Sequence, residues 1–435
     1  MNNFIWRILG YRMIDSFNEL SELKSLSRES YLRVIENKKN IIFNHHYNNN
    51  TWYRNFIGEK KVSKWEDIPI IRKRDLQNFS NFSSKTISGK NNYFANTSGS
   101  SGNPLYFWKN KYCHGIAWAY IIKMYSNLGI TKNDIEGRFI GHVKESYKYQ
   151  IKEKIKDYFF NRLRFDVFDL SENNMNDYVQ KFLKNNIGYV YGYTNVILEF
   201  SKFIIENNKP TIASICPTLK LCIITAEICS QYDRKIIEKA FGVPVYIEYG
   251  SSETSIIAIE DKLFNWGIAT ERIWIEILDE EDNLVEKGGD GKIIVTDLYN
   301  TSFPFVRYEL GDLGSIVYSE EYPYLILNKL LGRQSDMIYL SNGKRSPGLT
   351  FYYILRSVIE NNEFEIREFK IIQIALNHFI FLIVSNFELK EKEKNILIKE
   401  TERYLQESIL ITFKRVNKIE KKYSNKIQNF FSEIA

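Results

Sequence analysis

The rhythm of hydrophobic and polar positions changes several times along the chain. In "IDSFNELSELKSLSRESYLRVIENKKNIIFNHHYNNN", residues 14–50, apolar side chains recur at helical spacing with few β-branched runs, predicting a helical segment over residues 1–90. "SKWEDIPIIRKRDLQNF" follows, and its Pro69 and dense charge suit an ordered connection. Over residues 91–331, short β-rich runs alternate with helical ones: "GRFIGHV", "NDYVQKFLKN", "IGYVYGY", "VILEFSKFIIENN", "LKLCIIT", "RKIIEKAFG" and "VPVYIEYG". That alternation predicts an α/β core with a largely parallel sheet, whose ligands gather in the loops after the strands. "ERIWIEILDEEDNLVEKGGDGKIIVTDL" reads instead as antiparallel hairpins with Gly-rich turns. Residues 332–435 change character again, with strand-like "FEIREFKIIQIALNHFIFLIVS", a long charged helix and "LITFKRVNKIEK", predicting a small α+β domain. No internal repeat is present.

The N-terminal "MNNFIWRILGYRMIDSF" adds one ambiguity. Phe4, Ile5, Ile8, Leu9 and Ile14 fall largely on one helical face with Trp6 at its edge, which fits docking onto the protein or resting at a membrane interface, docking being preferred. Arg7, Gly10 and Arg12 interrupt the run and no cleavage site follows, so it does not read as a signal peptide. No window approaches the roughly 18 uninterrupted apolar residues of a spanning helix, so no transmembrane segment is expected and a cytoplasmic location is.

Composition narrows the class. A chain of 435 residues with 44% hydrophobic and 15% aromatic residues is globular and long enough for an enzyme of two or three domains. Its 59 basic and 53 acidic side chains are interspersed, so the net charge of +6 points to solvated faces and not to a nucleic-acid stripe. Cys113, Cys216, Cys222 and Cys229 are too sparse for a disulfide framework, and their spacing, even with His114 or His142 added, does not match a zinc site; buried thiols in a reducing compartment are expected.

Candidate chemistry starts at "NTSGSSGNPLYFW", residues 96–108, where Thr97, Ser98, Gly99, Ser100, Ser101, Gly102 and Pro104 crowd together. Glycines let the backbone approach a ligand, consecutive N–H groups form a concavity for anions, and hydroxyls add donors for phosphate oxygens. Asn103 and Pro104 follow Gly102 in place of Lys-Ser/Thr, so the kinase and ATPase version of such a loop does not fit, and a flexible turn is the plain alternative. Further segments follow in order: "EYGSSET" at 248–254, "PFVRYELGD" at 304–312 and "GRQSDMI" at 332–338. Supporting stretches are "YVYGYTN" at 189–195, "ITAE" at 224–227, "IIVTDL" at 293–298 and "FKIIQ" at 369–373.

In order and spacing, these motifs resemble the adenylate-forming superfamily of acyl-CoA synthetases and adenylation domains, and within it the phenylacetate-CoA ligase-like branch with its capsular-polysaccharide members. The resemblance covers most of the chain beyond residue 70 and implies an α/β fold. A large domain with mainly parallel sheets and a β-rich subdomain would precede a small mobile α+β lid. It implies an ATP- and Mg²⁺-dependent reaction in two steps. A small-molecule carboxylate attacks ATP to give an acyl-adenylate and pyrophosphate, and CoA, a carrier or a sugar then takes the acyl group. Carried onto this chain, Thr97, Ser98, Gly99, Ser100, Ser101 and Gly102 would hold the departing phosphates. Glu253 would hold Mg²⁺. Tyr249, Gly250, Ser251, Tyr191, Gly192, Tyr193 and Glu227 would line the adenine and acyl pockets. Asp312 and Arg333 would bind ribose, Arg307 would lie near the nucleotide, and Asp336 would be the hinge. Lys426 matches the family's C-terminal lysine, which would reach the reacting carboxylate and α-phosphate.

This sequence departs from the family in two places. Glu309 and Leu310 stand where an Arg-Thr-like pair usually precedes Gly-Asp, and Asn425 replaces the glycine before the lysine. These departures motivate an alternative, a nucleotide-binding module of the same fold without turnover. The acyl substrate, acceptor and oligomeric state are not specified by any motif.

Overall fold

The computed structural model describes residues 6, 10–58, 62–83, 92–97, 104–140, 147–286, 288–322, 324–333, 337–343, 345–348, 351, 354–355, 358, 366–419 and 430–434. The chain divides into two compact units: Met1–Glu227 with Ile236–Leu310 and Ser315–Asn328, and Ile228–Lys235 with Gly311–Gly314 and Lys329–Ala435.

Helices open the first unit: α1 (Met13–Ser25), α2 (Arg28–Asn49), α3 (Thr51–Ile57) and α4 (Lys73–Ser83). The starts of α2 and α3 are set by capping: Ser27 Oγ accepts from Ser30 N at 3.3 Å and Asn50 Oδ1 from Tyr53 N at 3.0 Å. Trp6 is buried against Trp118 and Phe160, so at this residue the N-terminal segment docks onto the protein. The apolar face expected to include Ile14 is set differently. Gly10 adopts φ +76 and ends the preceding turn, α1 restarts at Met13, and Met13, Ser16, Leu20 and Leu23 face inward while Ile14 is 62% exposed.

Eleven strands make one sheet in the order β10-β11-β12-β13-β9-β8-β7-β6-β5-β3-β4. One half is parallel: β4 (Arg162–Arg164), β3 (Ile135–Phe139), β5 (Ile187–Tyr193), β6 (Leu221–Thr225) and β7 (Val245–Ser251). Its connections are helical: α5 (Lys111–Asn127), which leads into β3, then α6 (Tyr147–Phe159), α7 (Glu172–Lys184), α8 (Thr194–Glu206), the single turn α9 (Ile212–Ile215) and α10 (Gln231–Phe241). Every residue of β6 is buried, as a parallel strand covered on both faces requires. The sheet turns antiparallel at β8 (Ser255–Glu260) and β9 (Trp266–Ile268), and β10 (Ile273–Leu278) pairs β11 (Gly291–Asp297) as the hairpin pattern predicted. β12 (Tyr308–Tyr318) and β13 (Leu325–Arg333) complete it. A separate hairpin, β1 (Asn92–Asn96) with β2 (Tyr106–Asn110), brackets the Gly/Ser loop.

In the second unit β14 (Met337–Tyr339) pairs β15 (Arg345–Pro347). A four-stranded sheet follows in the order β18-β17-β16-β19, from β16 (Ile366–Ala375), β17 (His378–Ser385), β18 (Leu410–Arg415) and β19 (Phe430–Ser432), with α11 (Glu391–Leu405). Phe351, Phe379, Phe381, Leu397 and Phe430 belong to its core. The parallel pairing of β19 with β16 is an addition to the elements read from sequence. Among the described residues no helix is long and apolar enough to cross a membrane.

One buried charge has a measurable cost. Glu271, in the turn before β10, is fully buried, and among the described residues no other residue donates a hydrogen bond to its carboxylate, which only its own backbone amide approaches. Burial pushes its pKa from 4.5 to about 7, against the opposing pull of Lys123 and Arg272. Folding therefore disfavours the charged form. Stability is fully present below about pH 4.5, falls as pH rises through the window up to about 7, and stays reduced above it. Glu271→Gln is expected to raise the melting temperature at pH 8, by up to roughly 3 kcal/mol in stability, with the gain vanishing near pH 4. Melts of both proteins across that range check it, and a gain independent of pH would contradict it.

Candidate functional site

The Gly/Ser loop is the tip of a hairpin. Asn96 pairs with Tyr106, Thr97 N donates to Leu105 O at 3.0 Å, and Leu105 N donates to Thr97 Oγ1 at 2.9 Å. Thr97 thus closes the base of the loop through both its amide and its hydroxyl oxygen. The hairpin is held at its base, where Asn300 Nδ2 donates to Trp108 O at 3.0 Å and Ser302 Oγ to Asn92 Oδ1 at 2.8 Å. Ser98, Gly99, Ser100, Ser101 and Gly102 lie outside the described residues, as do Asp336 and Lys426.

The residues expected to line the adenine and acyl pockets converge from three neighbouring strands. Tyr191, Gly192 and Tyr193 end β5, Ala226 and Glu227 follow β6, and Tyr249, Gly250 and Ser251 end β7; Tyr193 is paired with Thr225 and Thr225 with Glu248. Parallel strands deliver their carboxyl ends to one edge, which is where such sheets bind ligands. Gly192 is required by packing, because a Cβ there would lie 2.4 Å from Phe139 Cβ and 2.5 Å from its carbonyl oxygen. Glu227 acts locally, since its Oε2 accepts from Asn195 N at 2.8 Å and so satisfies a free amide in the first turn of α8.

Sequence reasoning missed the polar group behind these strand ends. Glu248 Oε2 accepts from Tyr125 OH at 2.7 Å and Oε1 from Tyr191 OH at 3.1 Å. Burial raises the Glu248 pKa, and the two tyrosine donors oppose that rise. Arg138 lies over the Tyr191 ring at 5.2 Å. The only signal in the sequence was a glutamate at an inward position of an otherwise apolar strand.

Glu253 is presented by a tight turn between β7 and β8. Thr254 N donates to Ser251 Oγ at 3.1 Å, and Ser255 adopts φ 65. A Cβ at Gly250 would meet Ser255 O at 2.7 Å, so the glycine is dictated by backbone contact across the turn. Arg272, fully buried, donates to Thr254 O at 2.7 Å and Ile256 O at 2.9 Å. Lys109, buried on the strand leaving the Gly/Ser loop, donates to Ser255 Oγ at 2.9 Å. Burial lowers the Lys109 pKa, with Cys113, Asp297 and Glu253 among the groups opposing the shift. Glu253 Oε1 accepts from Tyr308 OH at 3.0 Å. A carboxylate with one oxygen steadied by a phenol, beside the hydroxyls of Ser251 and Thr254, supplies the hard oxygen donors that suit Mg²⁺. Among the described residues no three His, Cys, Asp or Glu side chains gather as a metal cluster, and all four cysteines are free thiols, Cys229 only partly buried.

Arg307 sits in the left-handed region at φ 47 and donates to Glu66 O at 2.8 Å and Ile68 O at 2.6 Å, with Glu276 at 3.1 Å. Its guanidinium is thus occupied in tying the residue 65–71 segment to the start of β12. Glu309 pairs with Arg72 at 3.1 Å. Within the second unit, Asp312 Oδ1 lies 2.9 Å from Arg333 Nε, so the two residues expected at ribose meet as an ion pair, the aspartate mostly buried and the arginine half exposed.

No family model matches the chain. Its fold is that of the adenylate-forming CoA ligases. A solved 2-hydroxyisobutyryl-CoA ligase, in the postadenylation state in complex with 2-HIB-AMP, superposes with a TM-score of 0.75 over 95% of this chain and 92% of its own, at 16% identity. The anthranilate CoA ligase AuaEII in complex with anthranoyl-AMP gives 0.54 over 76% and 65%, at 12% identity. Among curated proteins, Protein CapK of Staphylococcus aureus is 27% identical over 399 residues, 88% of this chain and 82% of its own.

The two glycines provide a check on this geometry. Gly192→Ala and Gly250→Ala each force a Cβ into backbone atoms and are expected to cost about 1–3 kcal/mol or more, read as a lower denaturation midpoint at unchanged denaturant slope. Wild-type stability in either variant would show that the strand ends do not pack as described.

Proposed function

We propose that this protein is an ATP-dependent carboxylate-activating ligase, forming an acyl-adenylate and pyrophosphate and then passing the acyl group to CoA or another acceptor. The observation that carries the reading is the convergence of Tyr191–Tyr193, Glu227 and Tyr249–Ser251 beside the Glu253 turn. It occurs in a fold whose solved examples bind acyl-adenylates. A cytoplasmic role in surface-polysaccharide assembly is part of the proposal, supported by the similarity to Protein CapK.

Residues take their roles from charge. Amides and hydroxyls of Thr97, Ser98, Gly99, Ser100, Ser101 and Gly102 hold the β- and γ-phosphates as negative charge moves onto pyrophosphate. Glu253, steadied by Tyr308, holds Mg²⁺ with oxygen ligands, and the metal when bound neutralises phosphate charge. Asp312 accepts from ribose hydroxyls with Arg333 beside it. Lys426 balances charge on the carboxylate and α-phosphate, and rotation of the small domain about Asp336 withdraws it before acyl transfer.

ATP–pyrophosphate exchange over aryl, fatty, hydroxy and amino acids tests the reading. One class of acid is expected to stimulate exchange, and Lys426→Ala and Glu253→Gln each to reduce it about 100-fold or more without lowering the melting temperature by more than a few degrees. Nucleotide binding by calorimetry with no exchange for any acid would favour the module without turnover. Absence of nucleotide binding would remove both readings.

A further inference from the structure

Helix α6, Tyr147–Phe159, turns its two carboxylates inward and leaves apolar residues outward. Ile151, Ile155, Tyr158 and Phe159 are 42%, 52%, 80% and 45% exposed. Their spacing of four, three and one residues places them on one helical stripe. Both acids of the helix lie on the opposite side and are engaged there: Arg164 of the edge strand β4 pairs with Glu153 at 2.8 Å and with Asp157, and Lys156 adds a contact of 2.5 Å to Glu153. Lys154 is exposed, and helical periodicity sets position 154 along one border of the stripe and position 152, also lysine, along the other.

We propose that this face is a docking surface for an anionic lipid bilayer, the helix lying in the headgroup plane. Three features favour a bilayer over a protein partner. Withdrawal of both carboxylates onto Arg164 leaves a border that is cationic only, which complements anionic headgroups and not a mixed protein surface. Lysine stems can lie along the apolar boundary while their ammonium groups reach phosphates. The stripe is also small: a helix of this length and width offers about 200 Å², against about 800 Å² per partner in a stable protein interface. Such an area suits a reversible contact in which apolar insertion and charge each supply part of the affinity. The inference is independent of the adenylation reading.

Co-sedimentation of the full-length chain with large unilamellar vesicles tests it. Vesicles of phosphatidylglycerol are expected to bring the protein down at low salt, with binding weakened at least about tenfold by phosphatidylcholine alone or by about 0.5 M salt. Ile155→Glu combined with Tyr158→Ser should weaken binding to phosphatidylglycerol at least about tenfold at an unchanged melting temperature, and Lys154→Glu several-fold. Tyr158→Ser alone, at the most exposed position, gives a weaker loss and keeps the test open should the double variant fold poorly. No binding to phosphatidylglycerol at low salt, or equal binding by the stripe variants, would overturn the proposal. A dimer in light scattering that the stripe variants abolish, without vesicle binding, would assign the face to a second copy instead.

Discussion

A guanidinium taken wholly out of water holds the turn on which the candidate site is built. Arg272 is fully buried, and its two bonds to Thr254 O and Ile256 O fix the backbone on either side of Ser255. A buried cation without partners would be strongly unfavourable, so those carbonyls can hardly move without leaving it unsatisfied. Lys109 applies the same constraint from the other side through Ser255 Oγ. Since Lys109 leaves the Gly/Ser loop on β2, the loop's hairpin and the Glu253 turn are tied to one buried polar cluster. Glu253 is therefore presented by a frame braced from two sides, although Arg272 Nε itself has no partner among the described residues, and Tyr308 orients its carboxylate. Preorganisation of that kind lets a carboxylate act on charge without first rearranging.

The strand ends show a related constraint. Glu248 would be a costly isolated charge, yet both its oxygens are used by Tyr125 and Tyr191, which joins α5 to the parallel sheet directly behind the pocket residues. Gly192 and Gly250 allow neighbouring backbone to close up where any side chain would push it apart. Glu227 commits its carboxylate to the first turn of α8, so the end of β6 is locked to the helix that follows β5. Structural contacts thus crowd onto adjacent residues of the strand ends, separated by the alternation of side chains along each strand.

What could be read from the sequence was what is local. β5 emerged as "IGYVYGY" and β10 with β11 as a hairpin because continuous apolar runs and Gly-rich turns act over a few residues. The motif residues of β5, β6 and β7 are grouped in the sequence only by the family resemblance, and the parallel pairing of those strands brings their ends together. Ile14 was misplaced because the helical register depends on where the chain restarts after Gly10, which a periodic pattern alone does not specify. β19 pairs with a strand that begins more than fifty residues earlier, and no local signal in "FFS" announces such a partner. Lys109 escaped notice in a lysine-rich chain, although its alternation with buried Phe107 along β2 marks an inward position. Arg307, expected near the nucleotide from its motif, takes three partners, Glu66, Ile68 and Glu276, from segments far away in sequence, which no local pattern announces.

The departure at Glu309 acquires a physical account from the same contacts. Arg72 reaches Glu309 at 3.1 Å and Asp282 at 3.0 Å, while Ile71 exchanges backbone bonds with Arg307 and Glu309. A glutamate at this position therefore clamps the 65–72 segment onto β12, next to the Arg307 contacts that hold the same segment. An arginine there, as the usual pair would place, could not neutralise Arg72 and would set two like charges side by side. Glu309 thus forms an ion pair that braces the start of β12, while Glu253 keeps Tyr308 and Asp312 keeps Arg333 as partners. Leu310, at the position of the usual threonine, is buried and carries no hydroxyl, so the ion pair accounts for the first of the two departures and not for the second.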